Sequence, residues 1–246
     1  MSHDPAGTAP WVLHGHAVSN YFNTARAALI EKGLPFEIQR VRASQDPAFL
    51  ALSPMGKIPF LTTPEGSLSE TVPMLEYLEE HSRSATTLFP ADPLPRARLR
   101  QTLNILQLYL DAPMRRLYAG TVMGSVHAPG TVAAVQAQLD ITIEALRRLF
   151  TFGPYLLGDR LSAADLLALY CIDIGDRVTR MVYDWSLVER IDGLGAWGQV
   201  MGARHSTQVV AAEFIEQFRL YLASKQAAYR LDFGGGILPT SPAPAP

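Results

Sequence analysis

The segment Gly-Lys-Ile-Pro at residues 56–59 limits the possible folds of this chain more than any other. It runs directly into Phe60 and Leu61, which predict a strand, so Pro59 stands at the start of that strand. A proline has no N–H to donate, so it is tolerated there only at a sheet edge or with an unusual bond, often a cis one. The main chain of Ile58 is then turned away from the sheet, where it can pair with an extended peptide.

A second feature follows shortly afterwards, where Glu70 and Thr71 open an apolar-periodic helix. The first N–H groups of a helix lie at the positive end of its dipole and receive a carboxylate readily. Glu70 carries the same charge as such a ligand, so we expect it to meet an ammonium group, while the Thr71 hydroxyl and N–H take the carboxylate. Both residues are also ordinary at a helix start. Together with the proline segment, they predict a site for a small peptide.

These features resemble the thioredoxin-fold domain of the cytosolic glutathione S-transferases. The resemblance runs from Trp11 to about Ala223 and includes the run Pro-Tyr-Leu-Leu-Gly-Asp-Arg-Leu-Ser-Ala-Ala-Asp at 154–165. It implies an α/β plus all-α protein: an N-terminal thioredoxin-like domain with a mixed four-stranded sheet and helices, then a C-terminal helical bundle domain. It further implies a homodimer.

The same resemblance implies roles for individual residues. Pro59 would be cis, the main chain of Ile58 would hold the cysteinyl part of glutathione, and Glu70 with Thr71 would hold the γ-glutamyl carboxylate. Lys57 could meet the glycyl carboxylate, or it could be a solvated lysine in a turn.

Composition excludes several other classes of protein. The 246 residues carry a net charge of −2, and the arginines are scattered over the chain, which argues against a nucleic-acid partner. The first ten residues lack the charged and apolar regions of a signal peptide, and no apolar stretch is long enough to span a bilayer. The lone Cys171 lies inside an apolar run, which indicates a small buried side chain. We therefore expect a cytoplasmic protein without a membrane partner.

Hydrophobic periodicity and breaker residues divide the chain into five parts. We expect a flexible N-terminus at 1–10, the thioredoxin-like glutathione-binding domain at 11–82, a linker at 83–94, the all-helical domain at 95–230 and a flexible Gly/Pro-rich tail at 231–246. The predicted elements include strands at 11–14, 36–41 and 59–63 and helices at 23–32, 47–52, 96–110 and 132–150, with a break at Pro113. Ser162 and Asp165 match a capping box at the start of a further helix.

The turn before the first predicted helix holds the candidates for thiol activation. By resemblance, Ser19 falls where several transferase classes carry a Ser or Cys, and Asn20 is the neighbouring alternative. A hydroxyl or amide there would stabilise the glutathione thiolate by a hydrogen bond close to the positive end of a helix. Serine and asparagine are also the preferred helix caps, so either residue could serve only that purpose.

A pocket for the second substrate, a small hydrophobic electrophile, is expected over the thiol. Its candidate lining residues are Tyr109, Arg115, Arg116 and Tyr118, and the alternative is a solvated arginine pair with two core tyrosines. No carboxylate or cysteine accompanies His14 and His16 at ligand spacing, so we expect no metal. The predicted reaction is attack of bound glutathione thiolate on this electrophile. The alternatives are a non-catalytic binding or regulatory protein of the same fold, or a glutathione-dependent peroxidase, lyase or isomerase.

Overall fold

The computed structural model describes residues 11–82 and 84–238 and divides the chain into two compact units between Thr86 and Thr87. The predicted flexible N-terminus at 1–10 and the last part of the predicted tail, residues 239–246, lie outside the described residues. The division falls inside the predicted linker at 83–94. That linker is shorter than predicted because helix α4 begins at Pro93, where a proline with its fixed φ suits the first position of a helix.

The first unit is a four-stranded mixed sheet with helices. Strand β1 pairs in parallel with β2 and antiparallel with β3, and the strand order is β2-β1-β3-β4. The strands are β1 (Trp11–Gly15), β2 (Phe36–Arg40), β3 (Phe60–Thr63) and β4 (Gly66–Ser69), and the helices are α1 (Asn20–Glu31), α2 (Pro47–Leu50) and α3 (Thr71–His81). Helix α1 connects the parallel strands β1 and β2, as a βαβ unit requires. The predicted mixed sheet is confirmed.

The core of this unit is apolar and continuous between sheet and helices. Leu13 of β1 and Leu61 of β3 are opposite each other in the register, and both are buried. Phe22 and Leu29 of α1 and Leu75 of α3 are buried as well. This burial follows the helical spacing of the apolar residues in the sequence.

Several element boundaries differ from the sequence expectation for local reasons. Helix α1 begins at Asn20 and not at residue 23, because the side chain of Ser19 accepts a hydrogen bond from the amide of Phe22 and so caps the helix. Strand β3 begins at Phe60, since Pro59 has no N–H with which to join the ladder.

The second unit is helical. Its elements are α4 (Pro93–Ile105), a π-helical segment (Leu106–Asp111), α5 (Ala112–Arg115), α6 (Tyr118–Thr121), α7 (Thr131–Leu149), α8 (Ala163–Tyr183), α9 (Leu194–Gly202), α10 (His205–Lys225) and a short 3-10 turn (Leu231–Phe233). Helix α8 is the central one, because it is buried on all sides over much of its length.

The capping box predicted at Ser162 and Asp165 is present at the start of α8. The Asp165 carboxylate accepts hydrogen bonds from the Ser162 amide at 2.8 Å, the Ser162 hydroxyl at 2.7 Å, the Leu156 amide at 2.8 Å and the Trp197 indole at 2.9 Å. Burial raises the pKa of Asp165, while these hydrogen bonds act in the opposite direction. One carboxylate therefore joins the helix start to the preceding loop and to α9.

The break predicted at Pro113 takes the form of a π-helical turn. The helical path from Pro93 continues through the π-helical segment into α5, which contains Pro113. In an α-helix the missing N–H of Pro113 would leave the carbonyl of Tyr109 without its partner. The hydroxyl of Thr142 in α7 lies 2.9 Å from that carbonyl and 2.9 Å from the Gln138 carbonyl of its own helix, and its one proton is available to either acceptor. A neighbouring helix thus offers the Tyr109 carbonyl the donor that the proline lacks.

Residues 236–238, which belong to the predicted flexible tail at 231–246, are packed against the helical unit. Leu238 is buried, and the amides of Gly236, Ile237 and Leu238 donate to side chains of α8. Glycine-rich composition alone favours a flexible segment. Here specific hydrogen bonds with buried carboxylates outweigh that tendency.

Candidate active site

Three connections meet at one end of the sheet in the first unit. The register pairs His14 with Phe60 and Phe60 with Ser69. The turn after β1, the proline before β3 and the residue after β4 therefore lie at the same end of three adjacent strands. The topology brings together Ser19, Pro59 and Glu70, which are far apart in sequence.

The Ile58–Pro59 peptide bond is cis, as predicted. Pro59 is buried against the sheet, while Ile58 is only half-buried. Within the described residues, no hydrogen bond involves the N–H or the carbonyl of Ile58. Both groups can therefore pair with an added extended peptide.

The loop before Ile58 is fixed by contacts that sequence reasoning missed. The Ser53 hydroxyl donates to the carbonyl of Lys57 at 2.8 Å, and the amide of Ser44 donates to the carbonyl of Gly56 at 3.1 Å. Gly56 has φ +64°, and a Cβ there would lie 2.3 Å from the Ser44 carbonyl oxygen, so only glycine fits. Lys57 itself is exposed. The Ser-Pro-Met-Gly sequence at 53–56 is a turn signal that could have indicated this anchor.

Glu70 adopts a backbone conformation that is unusual for a residue with a side chain. Its φ is +68° and its ψ is 126°, immediately before α3. Such a conformation costs roughly 1–3 kcal/mol and is concentrated at functional sites. The Glu70 side chain is exposed and makes no capping bond with the helix. The Glu70 carboxylate is therefore exposed at the sheet end and does not cap the helix.

The start of α3 offers free main-chain donors. The first helical bond there runs from the Met74 amide to the Glu70 carbonyl at 3.1 Å. Pro73 has no N–H, so the amides of Thr71 and Val72 are the donors that remain for a ligand at this helix start. Thr71 is buried, next to the exposed Glu70. This arrangement can receive a carboxylate.

Ser19 is the N-cap of α1 and is half-buried. Its oxygen accepts a hydrogen bond from the Phe22 amide at 3.3 Å. A hydroxyl has one proton and two acceptor positions, so capping still leaves the proton for a second partner. Asn20 is the first residue of the helix and is buried. The capping role foreseen for Ser19 is thus present and compatible with donation to a thiolate.

His14 forms a packed support beside this sheet end. Its ring is stacked on Phe60 with centroids 4.2 Å apart, and its Nε2 lies 2.9 Å from the Thr62 hydroxyl. Burial lowers the pKa of His14. The ring is therefore a neutral packing element at neutral pH.

The residues predicted to line a second pocket have different environments in the helical unit. Tyr109 and Arg116 are exposed, whereas Tyr118 is buried and resembles the core tyrosine of the alternative interpretation. Arg115 pairs with the buried Asp111, Nε to Oδ2 at 2.5 Å, and its guanidinium lies 5.8 Å from the centre of the Tyr118 ring. Burial, followed by the charge of Asp111, raises the pKa of Tyr118 well above its usual range.

The described part of the chain has neither a metal-ligand cluster nor a membrane-spanning helix. No group of three or more histidine, cysteine, aspartate or glutamate side chains there could hold a metal ion. No helix within 11–82 and 84–238 is long and apolar enough to cross a membrane.

The sheet order, the helical crossover and the cis proline before β3 define a thioredoxin-like domain, which is followed by a helical unit. Residues 13–86 match the family model described as glutathione S-transferase, N-terminal domain. The chain is 36% identical over 200 residues to a glutathione S-transferase of Pseudomonas putida, covering 81% of this chain and 90% of that one. The chain therefore belongs to the glutathione S-transferase superfamily.

The chain is also similar to an isomerase in sequence and to a solved transferase structure in fold. The chain is 28% identical over 163 residues to a maleylacetoacetate isomerase of Rattus norvegicus, covering 63% of this chain and 73% of that one. The crystal structure of glutathione transferase F2 from Populus trichocarpa has the same fold, with a TM-score of 0.71 at 21% identity, and covers 84% of this chain and 100% of that one. The predicted fold class and the prediction of an enzyme of this family are confirmed.

Proposed function

We propose that this protein is a glutathione transferase in which the bound thiolate attacks a small hydrophobic electrophile. The observation that carries the proposal is the main chain of Ile58, which is unpaired within the described residues and lies beside a cis proline at the strand end that also holds Glu70. A peptide strand added there would pair with Ile58 through the cysteinyl residue of glutathione.

The charged ends of glutathione then match the remaining groups. Its γ-glutamyl carboxylate would accept from the Thr71 and Val72 amides, and its ammonium would pair with the exposed Glu70 carboxylate. Lys57, which is also exposed, is proposed to meet the glycyl carboxylate. In this proposal each charged end of the tripeptide has a group of opposite charge as its partner.

The proposed chemical role of the protein is to favour the thiolate. A free thiol has a pKa of about 8.5, so only a few per cent is ionised near neutrality. Each unit by which the pKa falls requires about 1.4 kcal/mol of preferential stabilisation of the anion. The Ser19 hydroxyl proton, at the positive end of α1, is proposed to supply part of it. Asn20 is the alternative donor.

The reaction would form one carbon–sulfur bond. The thiolate sulfur donates its electron pair to an electrophilic carbon, and a leaving group such as halide departs with its bonding electrons. We propose that the electrophile contacts the helical unit at Tyr109, Arg115, Arg116 or Tyr118. Of these, Tyr109 and Arg116 are the better candidates, because Tyr118 is buried and Arg115, although exposed, is paired with Asp111. We also propose a cytoplasmic homodimer, by analogy with the family.

Retention on immobilised glutathione, followed by a conjugation assay with an aryl chloride, tests the proposal. We expect retention and thioether formation by the wild type, and weaker retention by Glu70→Ala. Glu37→Ala is the matched control, since Glu37 is an exposed acid on β2 of the same unit. Failure of the wild type to bind would contradict the site itself. Binding without turnover of any electrophile would favour a non-catalytic module.

An isomerase is the second candidate, because one relative is named maleylacetoacetate isomerase. In an isomerisation, glutathione adds to the substrate and leaves again, so it is not consumed. Measuring free glutathione during turnover of a compound with a maleyl (cis-butenedioyl) group would distinguish the two reactions. Turnover with constant glutathione would favour the isomerase, and loss of glutathione would favour the transferase.

A further inference from the structure

The last described residues of the chain, Gly234–Leu238, form a strap across α8 of the helical unit. The amide of Gly236 donates to Asp176 Oδ2 at 2.8 Å. The next two amides, of Ile237 and Leu238, both donate to Asp173 Oδ1, at 2.8 Å and 2.7 Å. Three consecutive main-chain N–H groups are therefore held by two carboxylates.

The groups that hold the strap are charged and buried. The side chains of Asp173 and Arg177 are 2% and 0% exposed, and Asp176 is 1% exposed. Arg177 donates from Nε and Nη2 to the Asp173 carboxylate, both at 3.1 Å, and from Nη2 to the Leu238 carbonyl at 2.9 Å. Buried charges are tolerated only when they are paired and hydrogen-bonded. The strap supplies both donors and an acceptor to this set.

The binding surface on α8 admits only glycine at two strap positions. Gly235 and Gly236 have φ of +84° and +81°, which side-chain-bearing residues rarely adopt. A Cβ on Gly236 would lie 2.5 Å from Asp173 Oδ1 and 2.6 Å from Arg177 Cζ. The surface is therefore selective for backbone that carries no side chain at these positions.

The strap is also tied to the end of α10. Tyr229, in the segment after that helix, receives a hydrogen bond from Arg177 Nη1 at 3.3 Å and donates to the Gly234 carbonyl at 3.0 Å. Leu238 is buried beyond it. The strap thus contacts α8 through main-chain hydrogen bonds, through glycines that fit closely, and is followed by the buried Leu238.

We propose that Asp173, Asp176 and Arg177 form a peptide-recognition groove. Its ligand is a Gly-Gly-Ile-Leu segment with both glycines at positive φ, and in this protein the groove is filled by the strap of the same chain. The hydrogen bonds of the groove run to main-chain groups of the strap. A separate peptide with the same residues offers the same groups, so the contacts do not require a covalent connection to α10. The strap is therefore an exchangeable ligand, which a matching peptide supplied separately can replace when the strap is released.

The test uses the full-length chain and a labelled, amidated peptide with the sequence of residues 233–238. Gly236→Ala should release the strap and empty the groove. We expect fluorescence anisotropy to show peptide binding to Gly236→Ala that is at least about tenfold tighter than binding to the wild type. A peptide with alanine at position 236 should bind at least about tenfold more weakly than the native peptide. Gly202→Ala is the matched control, since a Cβ there meets nothing within 4 Å.

Hydrogen exchange on the wild type gives a second measurement that needs no variant. We expect the amides of residues 236–238 to exchange at least about 100-fold more slowly than in the free peptide. Exchange at free-peptide rates overturns the proposal, whatever Gly236→Ala does. With folded Gly236→Ala, absence of peptide binding, or equal binding of the native and alanine peptides, also overturns it. If Gly236→Ala does not fold, hydrogen exchange on the wild type decides.

Discussion

The two units of this protein differ in whether their key polar groups have hydrogen-bond partners within the protein. At the sheet end of the first unit, main-chain groups of Ile58 and the start of α3 have no protein partner in the described residues, and Glu70 adopts a strained backbone conformation. At the start of α8 in the second unit, the carboxylate of Asp165 instead accepts four hydrogen bonds from the protein itself. Groups left open can bind a ligand, whereas saturated groups stabilise the fold. The comparison therefore predicts which substitutions will change binding and which will change stability.

The largest expected effect is on stability, at Asp165. Replacing Asp165 with alanine leaves the donors of Leu156, Ser162 and Trp197 buried without an acceptor. We expect the free energy of unfolding to fall by about 4 kcal/mol or more, measured by urea denaturation. Ser162→Ala, which removes one hydroxyl from the same cluster, should cost only about 1 kcal/mol. Equal losses in the two variants would contradict the central role of the carboxylate.

Ser19 tests whether one side chain can both stabilise the fold and bind the ligand. Ser19→Ala should lower the free energy of unfolding by about 1 kcal/mol through the lost helix cap. It should also raise the pKa of the thiol of bound glutathione by about one unit, equal to about 1.4 kcal/mol. Ser19→Gly should lose only a few tenths of a kcal/mol of capping, at about the same cost to the thiolate. Ultraviolet absorbance of the thiolate across pH reports the second effect and urea denaturation the first. An unchanged thiolate titration in both variants would transfer the role to Asn20.

The same contrast decides how much could be predicted from sequence. Pro59, Glu70 with Thr71, and the capping box of Ser162 and Asp165 carry local signals, because each depends on residues close together in the chain. The fold class followed from these signals through the resemblance. The positive φ of Glu70 could not be read from its residue type, which does not favour that conformation.

Long-range contacts account for the other differences. Asp173 and Arg177 are four residues apart, which is ordinary for a pair on the surface of a helix. Nothing local reveals that Ile237 and Leu238 would return to them across more than sixty residues of sequence. Similarly, Thr142 offers a donor near Pro113 from another helix. Composition predicted a flexible tail, whereas tertiary contacts hold residues 236–238 against α8.

Glu70 allows binding and stability to be changed in opposite directions. Glu70→Gly removes the carboxylate and also relieves the positive φ, so we expect the dissociation constant for glutathione to rise about tenfold while the free energy of unfolding increases by up to about 1 kcal/mol. Glu70→Ala should weaken binding equally without the gain in stability. Calorimetry measures the first quantity and urea denaturation the second. A Glu70→Gly variant that is less stable than Glu70→Ala would show that the backbone conformation carries no strain.

The smallest expected effect concerns pH and the buried ring of His14, which supports the open site without belonging to it. Burial lowers the pKa of His14 in the folded state below its ordinary value of 6.5. Above that value the ring is neutral in both states, so it adds no pH dependence. Below it the unfolded chain takes up the proton first, and stability falls until the pH passes the folded pKa.

Urea denaturation from about pH 7 to about pH 5 measures this dependence. We expect the decline in stability to be shallower in His14→Gln than in the wild type, since glutamine does not titrate and can still reach the Thr62 hydroxyl. His205→Gln is the matched control, because His205 is exposed at the first position of α10. A His14→Gln variant that declines as steeply as the wild type would mean that the ring is protonated in the fold, and that this sheet end is wetter than its packing against Phe60 indicates.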